Sequence, residues 1–228
     1  MKRSKKYKAA SAKFDRQKKY PLEEACGLLV DTGTTKFDST VEVHFHLNID
    51  PKYPDQQIRS TVSLPHGSGK SKIIAAFVND DQVAAAKKAG ADFAGNTDLM
   101  EKVVKENWTG FDVAVATPEM MPKIAKLGKI LGTKGLMPNP KSGTVTTDIA
   151  GTIGEIKKGR IEFRNDPQGN LHAIGGKLSF GKEKIAENVA VIINAVRGAR
   201  PTGIKGNYIL STTLTSTMGP GIRMEIKE

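Results

Sequence analysis

A single cysteine, Cys26, in 228 residues excludes any disulfide framework within the chain and leaves almost no basis for a cysteine zinc site. It lies in a Glu-Ala-Cys-Gly-Leu-Leu run that reads as the buried side of a helix. Long apolar runs are also missing: no window approaches 18 uncharged apolar residues, so no membrane span is expected. Histidine is scarce, with only His44, His46, His66 and His172. Acidic residues fall short of basic ones, 24 Asp plus Glu against 35 Lys plus Arg, for a formal net charge of +11. The leading residues Met1-Lys2-Arg3-Ser4-Lys5-Lys6 run on polar through Tyr20 with no apolar h-region, which predicts no secretory signal. A reducing, cytoplasmic setting is the expectation.

The excess charge is unevenly placed. Residues 1–20 carry +8, residues 21–67 carry −4, residues 68–159 carry +3 and residues 160–228 carry +4. A dense basic arm with the Ala-rich interior Lys8-Ala9-Ala10-Ser11-Ala12-Lys13 suits a helix lying along a polyanion. It lacks the large apolar face of a membrane-surface helix. A solvated helix that only keeps the protein soluble is the plainer alternative.

Hydrophobic periodicity divides the chain. From Val41 to Ile49 the odd positions are apolar and the even ones polar, the mark of a strand with one wet face. Similar runs at Arg59–Leu64, Arg160–Arg164, Asn170–Ile174, Tyr208–Thr217 and Ile222–Ile226 predict one antiparallel sheet built from both ends of the chain. The middle alternates short apolar strands, 73–78 and 111–116, with helical stretches 82–89 and 99–107 and a helix from Pro118 towards Leu131. That pattern predicts an α/β unit covered on both faces. A strong helix is expected over Lys182–Val196. The resulting fold class is an α+β domain formed by residues 1–67 plus 160–228, with an inserted three-layer, Rossmann-like α/β domain at residues 68–159 and polar, Gly-rich crossings at both joints.

Candidate sites compete with plainer readings. His66-Gly67-Ser68-Gly69-Lys70-Ser71 ends like a phosphate loop, but Leu64 stands where the motif needs glycine, and a strand follows instead of a helix. It reads as a hinge, which weakens the alternative of a nucleotide-dependent enzyme using the central α/β domain. His44 and His46 share a strand face near Glu42 and Asp50, yet too few further ligands exist for a metal site. No catalytic arrangement is signalled. Gly128–Thr144 reads as a long basic loop in which Lys129, Lys134 and Lys141 could meet phosphates, and its composition fits an ordinary surface loop equally well. In Lys36-Phe37-Asp38-Ser39-Thr40-Val41-Glu42, Phe37 is either a core residue capping the sheet or a ring that packs on ribose or base, with Lys36 on phosphate and Thr40 and Glu42 on hydroxyls or base edges. The strand Leu210-Ser211-Thr212-Thr213-Leu214-Thr215-Ser216-Thr217-Met218-Gly219 carries hydroxyls on both faces, as edge strands and RNA-reading strands both can.

Taken together, Phe37–Pro51, Ser63-Leu64-Pro65-His66-Gly67, Leu131–Thr144 with its Gly-Leu-Met-Pro-Asn-Pro-Lys core, and Ser216-Thr217-Met218-Gly219-Pro220 resemble the signature runs of the bacterial large-subunit ribosomal protein L1 family over the whole chain. The resemblance implies a non-enzymatic protein of the cytoplasmic ribosome, with no cofactor, metal or membrane partner, monomeric off the ribosome. It implies a discontinuous rRNA-binding domain on the mobile stalk beside the exit site for tRNA. It also implies help in releasing deacylated tRNA, and repression of translation through a site in the protein's own mRNA leader that mimics the rRNA. Carried over by position, the rRNA and mRNA contacts fall on Lys36, Phe37, Thr40, Glu42, Ser211, Thr213, Thr217, Met218 and Gly219, with Arg164, Asp166 and His172 as neighbours of that surface. Lys129, Lys134 and Lys141 form the tRNA-contacting loop. Thr133-Lys134 stands where the family usually has Pro-Arg, which keeps the charge but loses the planar fork.

Overall fold

The computed structural model describes residues 3–226. The chain divides into two compact units, Met1–Gly69 with Gly159–Glu228, and Lys70–Lys158. In chain order the first unit opens with α1 (Lys5–Ser11), α2 (Leu22–Asp31), β1 (Thr40–Leu47) and β2 (Arg59–Ser63). The second unit follows with β3 (Ile74–Phe77), α3 (Asp80–Lys88), β4 (Phe93–Gly95), α4 (Thr97–Glu106), β5 (Val113–Ala116), α5 (Met121–Ile124), α6 (Gly128–Thr133) and α7 (Ile149–Lys158). The chain then returns to the first unit as β6 (Arg160–Arg164), β7 (Asn170–Lys177), α8 (Gly181–Gly198), β8 (Ile209–Ser216) and β9 (Ile222–Met224).

The crossings lie side by side in the first unit. β2 ends and β6 begins as antiparallel partners, with Ser63 opposite Arg160. Gly159 has a φ of 105°, and a Cβ there would meet the Gly67 Cα at 2.3 Å, so only glycine lets the outgoing and returning backbones approach this closely. Gly69 stays with the first unit because its backbone nests on Lys177 and Phe180. Asn188, fully buried on α8, ties the crossing down: its Oδ1 accepts from the His66 N–H at 3.1 Å, and its Nδ2 donates to the Gly67 carbonyl at 3.1 Å and the Gly175 carbonyl at 2.9 Å.

In the first unit the half-wet strands form two sheets, where the patterning led us to expect one. The main sheet has the order β7-β1-β8-β9, all antiparallel, and β2 pairs only with β6 in a separate ribbon. Alternation along β1 buries Val41, Val43, Phe45 and Leu47 on one side. On that side α2 contributes Ala25, Cys26 and Leu29, and α8 contributes Ile185, Val189, Ile192 and Val196. Both helices carry acidic residues in their first turns, Glu23 and Glu24 in one and Glu183 in the other, where the helix dipole favours them. Cys26 is buried in this core, and burial pushes its thiol up to about 12, so it acts as a small apolar filler.

The leading segment is not a free arm in its described part. Ser4 caps α1 by accepting from the Tyr7 N–H at 3.2 Å, and Ala10, Phe14 and Tyr20 are buried. Phe14 and Tyr20 join the main core, where their rings meet edge to face. The described lysines of this segment stay outside.

In the second unit β3 lies between β4 and β5 in a parallel sheet. Its residues split between two cores: Ala75 and Phe77 face α4 and the 118–133 segment, while Ile74 and Ala76 face α3 and α7. A strand buried on both faces needs an unbroken apolar run, which Ile74–Phe77 supplies. The helix expected from Pro118 is broken into α5 and α6 with 3-10 turns at Pro118–Met120 and Ala125–Leu127. Pro122, with no N–H to donate to the Pro118 carbonyl, accounts for the first break. The long loop expected over Gly128–Thr144 is correspondingly shortened, because Gly128–Thr133 is helical and Pro140–Ser142 forms a 3-10 turn capped by the Asn139 side chain.

Candidate nucleic-acid interface

Because β1 and β8 are antiparallel, the start of one meets the end of the other: Val41 lies opposite Ser216. Two turns therefore project side by side from one end of the main sheet. The first, residues 35–39, is braced from beneath. The Thr35 hydroxyl donates to the Phe37 carbonyl at 2.9 Å and also meets the buried Ser39 hydroxyl. Asp38 accepts from the Ser179 N–H at 3.1 Å and its hydroxyl at 2.8 Å. Lys177 Nζ donates to the Asp38 carbonyl at 3.2 Å and to Thr40 Oγ1 at 3.1 Å. With the turn held this way, Phe37 points outward and is 58% exposed. It is not the core cap that its odd position in the strand pattern allowed.

The second turn follows β8. Thr217 N–H donates to the Thr40 carbonyl at 2.9 Å, and Gly219 N–H donates to the Ser216 carbonyl at 2.8 Å. Met218 sits between them with φ at 63°, left-handed backbone that an unbranched L-residue adopts only at a cost, and its side chain is 76% exposed. A Cβ at residue 219 would lie 2.3 Å from Ser216 Oγ, so Gly219 shapes the turn and presents bare backbone. A large apolar side chain held outward in left-handed backbone gains nothing within this chain. Such strain marks a site that meets a partner.

The polar side of the sheet runs back from these turns. Glu42 lies opposite Thr215 on β8 and Ile174 on β7; His44 lies opposite Thr213 and His172; His46 lies opposite Ser211 and Asn170. His44 and His172 face each other with Nδ1 atoms 2.7 Å apart, so one ring must accept and is neutral at that nitrogen. Burial first, then the His172 charge, lower the His44 pKa, against a raising pull from Glu42. His46 Nδ1 meets Asn170 Oδ1 at 2.8 Å. Among the described residues no group of three or more His, Cys, Asp or Glu could hold a metal ion, and no helix is long and apolar enough to cross a membrane.

The expected contact residues thus separate. Lys36, Phe37, Thr40, Glu42, Thr217, Met218 and Gly219 come together at one end. Thr213 and His172 lie midway along the face. Ser211 pairs with His46, six residues and about 20 Å along the strand from Thr40. Arg164 and Asp166, expected as neighbours of that surface, lie away from its Thr40 end, and Asp166 comes within 3.9 Å of His172. Arg164 belongs to the β2–β6 ribbon, opposite Arg59. Asp166 shapes the turn into β7, accepting from the N–H groups of Gln168 at 2.9 Å and Asn170 at 2.7 Å and from the Asn170 amide at 3.0 Å. Desolvation pushes its carboxyl up, but these hydrogen bonds and the His172 charge together hold it below its ordinary value.

Sequence reasoning missed Lys177 and Ser179, which brace the Phe37 turn through Asp38 from across the sheet. Only the β1–β7 register brings them there, and no local motif announces it. In the second unit Lys129, Lys134 and Lys141 are all exposed, Lys129 on α6 rather than in a loop. Lys123 and Lys126 join Lys129 outside, while Ile124, Leu127 and Leu131 are buried beneath. Lys134 Nζ donates to the Thr109 hydroxyl at 2.5 Å.

The main cluster offers a flat ring, an apolar thioether, hydroxyls, bare backbone and flanking cations on a rigid frame. Unstacked bases and riboses of folded RNA take such a surface, since rings stack on bases and neutral groups read 2′-hydroxyls. Comparison with known proteins agrees. Residues 29–220 match the model of the ribosomal protein L1p/L10e family. Proteins named large ribosomal subunit protein uL1 are similar along essentially the whole chain. That of Mesoplasma florum is 53% identical over 223 residues, covering 98% of both chains. That of Thermosipho melanesiensis is 52% identical over 223 residues, covering 98% of this chain and 96% of its own. That of Chloroflexus aggregans is 51% identical over 227 residues, covering 99% of this chain and 96% of its own. The chain belongs to the ribosomal protein L1p/L10e family, a structural family and not an enzymatic one.

Proposed function

We propose that this protein is the rRNA-binding structural protein of the large ribosomal subunit's mobile stalk, beside the exit site for tRNA, and that it acts there in the cytoplasm. The observation that carries the reading is the pair of braced turns that hold Phe37 and Met218 outward at one end of the main sheet. The first unit grips rRNA through this end, with Lys36, Thr40, Glu42, Thr217 and Gly219 around it and Thr213, His172 and Ser211 farther along the same face. The second unit has a separate task. Its exposed lysines, Lys123, Lys126, Lys129, Lys134 and Lys141, meet the backbone of exit-site tRNA and assist release of the deacylated molecule. The same surface of the first unit binds a structure in the protein's own mRNA leader that mimics the rRNA site, and so represses translation. Off the ribosome the protein is a monomer.

The test is filter binding of the purified protein to a stalk rRNA fragment, to its own leader and to random RNA of equal length. The first two are expected to bind with similar affinity and far more tightly than the third, and each to displace the other. Equal affinity for all three would overturn the assignment.

A further inference from the structure

A cleft of about 880 Å³ lies at the β8–β9 edge of the first unit, outside the Phe37–Met218 cluster. Its lining residues come from both faces of the sheet, so it reaches round that edge. Four cations line it: Lys19 from the leading segment, Arg197 at the end of α8, Arg200 just beyond it and Arg223 on β9; among the described residues no carboxylate does. Two buried hydroxyl-bearing residues, Tyr208 and Thr212, are also in the wall, 4% and 2% exposed. Among the described residues neither hydroxyl has a hydrogen-bond partner. A buried hydroxyl left unpaired costs stability, so its retention calls for a reason outside packing. Burial pushes the Tyr208 phenol up to about 12, against the pull of Arg200, so it keeps its proton.

What the cleft lacks among the described residues is a negative charge to balance its cations, and an anionic ligand supplies one. Arg200 is partly committed, since it donates to the carbonyls of Ile204 at 3.1 Å and Gly206 at 2.9 Å and so holds one rim in place. The side chains of Lys19 and Arg223 have no hydrogen bond or ion pair among the described residues. Arg223 lies opposite Thr213, Thr213 opposite His44, and His44 opposite His172, so the outer rim continues a polar row across all four strands. Ser211 and Thr213 belong both to that face and to the cleft.

We propose that this cleft binds backbone phosphates of an RNA strand that continues from the Phe37–Met218 end across the wet face of the main sheet. The proposal rests on the RNA-binding reading above and adds a second anchor to it. Guanidinium forks match phosphate oxygens. Continuity with the candidate RNA face selects an RNA strand over an acidic protein segment.

The test uses the full chain with Lys19→Gln and Arg223→Gln combined, two exposed positions where glutamine removes charge and keeps most of the stem. Binding to the stalk rRNA fragment and to random RNA is measured over a range of salt, with phosphate-ethylation interference on the fragment. The slope of log affinity against log salt is expected to fall by about two, one for each phosphate that the variant no longer neutralises. One cluster of ethylation-sensitive phosphates should disappear, with melting temperature and preference for the fragment intact. An unchanged slope, with the unaltered protein still selective, overturns the cleft and leaves the RNA reading standing. An unaltered protein with no preference for the fragment overturns both. A polyglutamate peptide that binds through Lys19 and Arg223, with no change in the RNA slope, would give the cleft to an acidic protein partner and likewise overturn the proposal.

Discussion

The Thr217 side-chain oxygen accepts the Thr40 N–H at 3.1 Å and its hydroxyl donates back to the Thr40 carbonyl at 3.2 Å. One side chain therefore locks the turn after β8 onto the start of β1, which places Met218 beside Phe37. This geometry adds a positioning role to the RNA contact expected of Thr217.

Thr217→Val keeps the shape and removes both side-chain hydrogen bonds. It is expected to cost about 1–3 kcal/mol of stability by leaving the part-buried Thr40 N–H unpaired, and to weaken specific RNA binding along with it. Urea denaturation and filter binding measure the two effects. Lost affinity with unchanged stability would mean that Thr217 touches RNA directly.

Phe37 and Met218 should behave in the opposite way. A buried phenylalanine cut to alanine typically costs about 3–5 kcal/mol, whereas Phe37→Ala should change stability by no more than about 0.5 kcal/mol, as surface substitutions do, and lower rRNA affinity by about tenfold or more. Met218→Gly removes an exposed side chain from left-handed backbone. Relief of about 1–2 kcal/mol outweighs or matches the added freedom of glycine in the unfolded chain, so the variant should melt no lower while binding RNA more weakly. A large drop in melting temperature for either protein would show that its side chain serves the fold.

The His44–His172 contact gives a dependence on pH. His44 titrates below its ordinary value of 6.5 in the folded protein, so the unfolded chain takes up this proton first as pH falls. The stability it protects is complete above about pH 6.5 and is lost as pH drops through the folded value. Thermal melts of the RNA-free protein between pH 5 and 7.5 should show stability rising with pH across this window, and His44→Gln should flatten the rise. A slope that is the same in the variant would contradict the assignment.

The strand alternation of β1, the doubly buried run of β3 and the apolar stripe of α8 were legible because each is a periodic local pattern that burial then obeys. The separate β2–β6 ribbon was not. β2 has the same composition as its neighbours, and only the long-range pairing of Ser63 with Arg160 sets it apart. At the site, the motifs around Phe37 and Met218 were legible as segments, but the outward orientation of Phe37 depends on Lys177 and Ser179, and that of Met218 on Thr217 bonding to Thr40, both set by strand register. Which end of the face Arg164 and Asp166 adjoin was not legible either, because it is set by the β2–β6 ribbon and by the turn into β7.

Joining residues 1–67 to 160–228 through a short linker should give a protein that folds and keeps its specific rRNA affinity. The crossings already lie side by side at Gly67 and Gly159, and the main core draws all its residues from these two segments. Circular dichroism and filter binding check this. A folded protein whose affinity falls by more than about 3 kcal/mol, beyond the usual worth of one contact, would put part of the primary site in residues 68–159.

The most direct measurement is crosslinking of the full-length protein to total cellular RNA, with both the RNA and the crosslinked peptides sequenced. The expected result is one dominant segment of large-subunit rRNA, joined to peptides that contain residues 36–42 and 216–219. Crosslinks scattered evenly over unrelated RNAs, or confined to the lysines of residues 123–141, would contradict the claim that the paired turns of Phe37 and Met218 are the site of specific recognition.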